Sequence, residues 1–126
     1  MRALMLIAAA TIVASCSRPV SPPGADFAQA TAGRVAGPPQ SCVSTNPAEN
    51  LHVIDQQTVA YGYGRTVFIN RLPGPCPALS QFNTLIVEGG VGGQYCRGDR
   101  VRGREPGALI AGPSCNLGDW VPYRRP

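Results

Sequence analysis

Cysteine, histidine and arginine carry the reactive chemistry of this chain. The cysteines are Cys16, Cys42, Cys76, Cys96 and Cys115, and the one histidine is His52. Thiolates attack carbonyl carbon, ligate soft metals or oxidise in pairs. Structural zinc and thiol redox sites both favour a C-x-x-C pair, and none of the four spacings between successive cysteines provides one. His52 can meet Asp55 or Asp119, but a hydrolytic triad also needs a marked nucleophile, and no G-x-S-x-G is present. His52 therefore reads as a strand or surface residue. No catalytic residue, metal ligand set or cofactor site is assigned. The cations are all arginine. In "CRGDRVRGRE" (Cys96–Glu105), Arg100, Arg102 and Arg104 alternate, so a strand places them on one face. With Arg97 they can grip a phosphate, a carboxylate or an acidic partner. The plainer alternative is a solvated edge strand, partly compensated by Asp99 and Glu105. The embedded "RGD" is too short to carry an adhesion reading.

Ahead of these residues lies a different kind of segment. Met1 and Arg2 precede "ALMLIAAATIVA" (Ala3–Ala14), an uncharged run about twelve residues long. A membrane span needs roughly 20 apolar residues. A charged start, a short apolar centre and a small-residue end mark a secretory signal peptide over residues 1–15. Val13-Ala14-Ser15-Cys16 resembles the lipobox of bacterial lipoproteins. The resemblance implies a diacylglyceryl group on the Cys16 thiol, cleavage before Cys16 and acylation of the new amine. Two or more acyl chains hold firmly where one holds reversibly. Ser17, in place of an aspartate, implies onward transport to the outer membrane.

Ser17 to Gln40, "SRPVSPPGADFAQATAGRVAGPPQ", is rich in proline, glycine, alanine and serine, with one aromatic. Such a stretch buries too little surface to offset its ordering entropy. It reads as a disordered tether over residues 16–40, on the order of 27 Å long as a flexible coil, with a transient helix near Phe27–Ala32. From Ser41 onward eight arginines face six acidic residues. That balance argues against nucleic-acid binding, which must neutralise many phosphates.

Residues 41–126 make one small domain whose thin core calls for staples. With Cys16 set aside for lipid, Cys42, Cys76, Cys96 and Cys115 form an even set, as in exported disulfide frameworks. Three pairings are open. The nested one, Cys76–Cys96 with Cys42–Cys115, is expected because it ties the domain's ends together. Strands are read at Leu51–Asp55, Thr58–Tyr63, Arg65–Leu72 and Asn83–Gly89. Tyr95–Arg104 reads as an extended segment and Asp119–Tyr123 as a short final strand, which Pro122 would keep at an edge or end. Asn46–Glu49 and Pro77–Phe82 read as short helical turns. Four glycines between Glu88 and Gln94 read as a hairpin loop. Tyr61, Tyr63, Tyr95, Trp120 and Tyr123 either pack in the core and its rim or form an aromatic contact surface. The fold class is mainly β: a small disulfide-stapled antiparallel sheet or partly closed barrel with one or two short helical turns.

"GRTVFINRLPGPCPAL", "YCRGDRV" and "CNLGDWVPY" together resemble a family of small uncharacterised proteobacterial exported proteins and lipoproteins. Its elements are L-x-x-x-C-P-x-L, C-x-G-D and C-x-L-G-x-[FW]-x-P-Y. The resemblance spans roughly residues 41–123 and implies a cysteine framework but no activity. The expected function is a non-enzymatic binding or structural module, lipid-anchored on the periplasmic face of the outer membrane. Its expected partner is an envelope protein or peptidoglycan. The alternative is a periplasmic inhibitor of lysozyme-type enzymes, with a loop carrying Arg97 to Arg104 entering an acidic cleft.

Overall fold

The computed structural model describes residues 24–89 and 92–126. The apolar run, Cys16 and residues 17–23 lie outside them. One short helix, α1 (Ala25–Thr31), precedes ten strands. These are β1 (Val35–Ala36), β2 (Cys42–Ser44), β3 (Leu51–Asp55), β4 (Thr58–Tyr61), β5 (Thr66–Arg71), β6 (Thr84–Glu88), β7 (Gln94–Cys96), β8 (Arg100–Arg104), β9 (Ser114–Asn116) and β10 (Trp120–Arg124). They form three open antiparallel sheets, ordered β1-β10-β5-β4-β3, β2-β7 and β6-β8-β9. The mainly β expectation holds in its open-sheet form, and no barrel closes among the described residues.

The β-branched content of "TVAY" and "TVFINR" suits strands buried on both faces, and every residue of β4 is buried. One face of the five-stranded sheet gives Val59, Tyr61 and Trp120 to the main core, with Leu72, Leu79, Val101 and Leu117. The other gives Ala60, Val67 and Ile69, joined by Ile54, which sits at a bulge in β3. Phe27 and Ala30 of α1 cover that second face, with the Phe27 ring edge-on to Tyr123 at 6.0 Å.

This packing corrects the expected tether. Residues 24–40 are folded onto the domain: α1 caps the sheet, β1 extends it, and Gln40 bridges Trp120. The segment lacks a periodic apolar stripe because only two of its side chains, Phe27 and Ala30, are needed to cover the exposed sheet face. Arg34 adds a strap, donating from Nη1 to the Arg65 carbonyl at 2.9 Å.

The expected helical turns at Asn46–Glu49 and Pro77–Phe82 form as isolated turns, not helices. Tyr95–Arg104 is not one extended segment. It breaks at Gly98, whose φ of 89° is open to glycine at little cost, into β7 and β8. Pro122 does not confine β10 to the edge. β1 pairs outside it, and the Pro122 carbonyl still accepts from the Gly37 N–H at 2.7 Å. The ladder tolerates proline there because regular pairing with β1 stops at Ala36, and Gly37-Pro38-Pro39 runs past Pro122 irregularly until Gln40 meets Trp120.

All four domain cysteines are bridged, but not as nested pairs. The bridges are Cys42–Cys96 and Cys76–Cys115. Register decides this: β2 and β7 place Cys42 directly opposite Cys96, with Cα atoms 4.0 Å apart. Cys76 follows β5 and meets β9 instead, at a Cα separation of 6.1 Å. The bridges interlace, so each chain half is tied to the other twice.

Candidate functional site

The outer face of the β6-β8-β9 sheet carries the expected row of arginines. Arg100, Arg102 and Arg104 alternate with Val101 and Gly103, which are both buried. Cross-strand partners share a face. The rows are therefore Glu88, Arg100 and Asn116, then Ile86, Arg102 and Ser114, then Thr84 with Arg104. Arg102 Nε lies 3.2 Å from Glu88 Oε1. That contact is an ion pair without a directed hydrogen bond. Arg100 and Arg104 are exposed and have no ion-pair partner among the described residues. The face keeps a positive excess.

Two expectations about this segment change. β8 is the central strand of its sheet, not a solvated edge. The compensating carboxylate is Glu88 rather than Asp99 or Glu105, because strand pairing brings β6 alongside. Asp99 instead accepts the Cys96 N–H at 2.8 Å and shapes the turn into β8. Arg97 does not join the row. Its backbone N–H donates to the Ser41 carbonyl, and its guanidinium reaches Asp119 Oδ1 at 3.2 Å. Arg97 to Arg104 thus make a turn and a flat strand face, not a loop that projects.

His52 lies on β3, stacked flat on Tyr63 with ring centroids 4.4 Å apart. Burial lowers its pKa below the usual histidine value, opposed by the Asn50 backbone. Neither expected acid reaches it: Asp55 Oδ1 accepts the Gln57 N–H at 2.8 Å, and Asp119 pairs with Arg97. Tyr61 and Trp120 are core residues, and Tyr61 stacks edge-on to Tyr95 at 5.8 Å. The aromatics therefore pack rather than form a shared contact surface, with Tyr63 alone among them largely exposed.

No family model, curated protein or solved structure matches this chain.

The structure adds a feature that residue chemistry did not single out. β8 and β9 are joined by residues 105–113, which carry Leu109 at 97% and Ile110 at 82% exposure. The loop is held at its base, where the Gly112 N–H donates to the Gly103 carbonyl at 2.9 Å. A turn from the Ala108 N–H to the Glu105 carbonyl, 3.0 Å, shapes its first half. Beside it opens a hollow of about 310 Å³ between Ala78, Asn83 and Ile110. A second hollow, about 430 Å³, lies beside Phe27 and Tyr123 with Arg71 at its rim. No cluster of three or more His, Cys, Asp or Glu side chains suited to a metal occurs among the described residues. No described helix is long and apolar enough to cross a membrane.

Proposed function

We propose that this chain is an envelope lipoprotein: a disulfide-stapled β domain held by Cys16 on the periplasmic face of the outer membrane, acting by binding and not by catalysis. One observation carries the reading. Cys42 pairs with Cys96 and Cys76 with Cys115, so no cysteine of the domain is left for Cys16. Cys16 ends an apolar run in a lipobox-like Val13-Ala14-Ser15-Cys16, where a lone cysteine has a chemical purpose as an acyl acceptor. Two disulfides also suit an oxidising compartment outside the cytosol. Consumed thiols, with Asp55 and Asp119 engaged elsewhere than at His52, support binding over chemistry. Membership of the proteobacterial exported-protein family rests on the same cysteine, glycine and Trp120-Val121-Pro122-Tyr123 motifs.

Labelled palmitate fed to expressing cells tests the anchor. The wild-type chain incorporates label and Cys16→Ala does not. Absence of label from wild type, or equal label in Cys16→Ala, overturns the reading. Inhibition of a lysozyme-type enzyme is the weaker proposal, because the arginines that were to enter its cleft lie along a central strand. A muramidase assay with a large excess of purified protein separates the two.

A further inference from the structure

We infer that the apolar tip Leu109–Ile110, with the arginine row beside it, seats the domain on the phospholipid surface in which Cys16 is anchored. The inference rests on the lipoprotein reading and adds an orientation to it.

Three observations converge. The first is reach. The described residues start at Gly24, so no more than residues 17–23 lie between the anchor and the first of them. Fully extended, the path from Cys16 to Gly24 is under about 30 Å. A folded unit of this size has a radius of gyration of about 13 Å. The leash is therefore no longer than about one domain diameter, and the bilayer is always within contact range. Under such confinement even a weak surface preference is satisfied most of the time.

The second is placement. Gly24 borders a hollow shared with Pro75. Pro77 and Ala78, two and three residues further on, border the hollow that Ile110 also lines. The first described residue and the apolar tip thus flank the same short segment, Pro75–Ala78. The Cys76–Cys115 bridge fastens that segment to β9, the strand that follows the loop.

The third is chemistry. Leu109 and Ile110 sit at a hairpin tip whose only charged residue is Glu105 at its base. Arg104 ends β8 where the loop begins, and Arg100 and Arg102 continue the row away from it. Apolar side chains at a tip with cations behind them match a leaflet edge, acyl chains first and anionic phosphate above. A protein partner needs a shaped and larger apolar patch than two side chains on a hairpin.

The test uses the mature lipidated chain carrying Ile110→Trp, reconstituted into phosphatidylethanolamine–phosphatidylglycerol vesicles with or without brominated acyl chains. Trp120 is fully buried and serves as the internal reference. Expected is a blue-shifted second emission component, quenched at least twofold by brominated lipid, while the wild-type signal from Trp120 hardly changes. Emission of a water-exposed indole, unquenched in protein that floats with the vesicles, overturns the inference while leaving the anchor intact. Loss of palmitate labelling instead strikes the anchor itself. If the tip is covered by a second copy, the wild type is dimeric in detergent and Leu109→Asp with Ile110→Asp makes it monomeric. That result also overturns the lipid assignment. Both residues are exposed, so the melting temperature of the double variant should match wild type and confirm that folding is not at issue.

Discussion

Asn70 shows how much a single side chain can hold. It is fully buried on β5, donates from Nδ2 to the Gly118 carbonyl at 2.7 Å and accepts the Gly118 N–H at 2.8 Å. Asn70→Ala removes the partner of both backbone groups of the half-buried Gly118, and leaving a buried group unsatisfied costs about 1–3 kcal/mol. A denaturant titration should register a loss of about 2–4 kcal/mol. His52 makes a second test. Its folded pKa is depressed by burial, so the unfolded chain takes up the proton first as pH falls. Its neutral form stabilises the fold fully above about 6.5. That contribution is lost as pH drops from there towards the lowered folded value. The denaturation midpoint should therefore fall between pH 7.5 and 5 by more in wild type than in His52→Gln; equal slopes would refute the role. At this scale the shared face of Arg100, Arg102 and Arg104 was legible in the alternation. Their counter-charge was not, because Glu88 is distant in sequence and adjacent only through the β6–β8 register.

Elements were legible where apolar residues alternate and illegible where packing alone defines them. β3, β4, β5, β6 and β10 follow β-branched and aromatic runs bounded by turns. β1, β2 and β9 are two or three residues long and exist because a neighbour offers a free edge. The composition of the α1 segment is that of a linker and predicts no more than a transient helix near Phe27–Ala32; the uncovered Val67–Ile69 face gives that helix a place to dock. Gly103 shows tertiary packing choosing a residue. A Cβ there would overlap the Ala78 carbonyl and crowd Asn83 Nδ2. Gly103→Ala should cost roughly 1–3 kcal/mol, lowering the melting temperature by several degrees or more. Gly64→Ala, where nothing lies within 4 Å of the added methyl, should stay within about 0.5 kcal/mol of wild type. Similar losses at both sites would mean that glycine flexibility, not the close approach of backbone, sets the effect.

The molecule as a whole is closed by its two bridges, which join residues 54 and 39 positions apart. Loop closure in the unfolded chain makes each worth about 4 kcal/mol in the entropic model, a large share of the stability of a domain this small. Their accessibility differs. Cys76 is 0% exposed, whereas Cys42, Cys96 and Cys115 are half-buried, so one sulfur of the second bridge is shielded and neither of the first is. Mild reductant should open Cys42–Cys96 first, and alkylation with peptide mapping should find those two residues labelled ahead of Cys76 and Cys115. Mapping before reduction should recover the interlaced pairs alone; a Cys76–Cys96 peptide would contradict the register of β2 against β7.

The sequence by itself determined the class of fold, five of the strands, the common face of three arginines and the even set of cysteines around a separate Cys16. Those features are encoded within a few consecutive residues, through side-chain alternation, turn chemistry and counting. Tertiary structure alone decided which cysteines meet, that residues 24–40 belong to the domain, that Glu88 faces Arg102, and that the Leu109–Ile110 tip stands clear of the core. Each of those depends on the pairing of segments far apart in the chain. Pairing is selected by burial of the whole set of apolar faces at once, which no local stretch specifies.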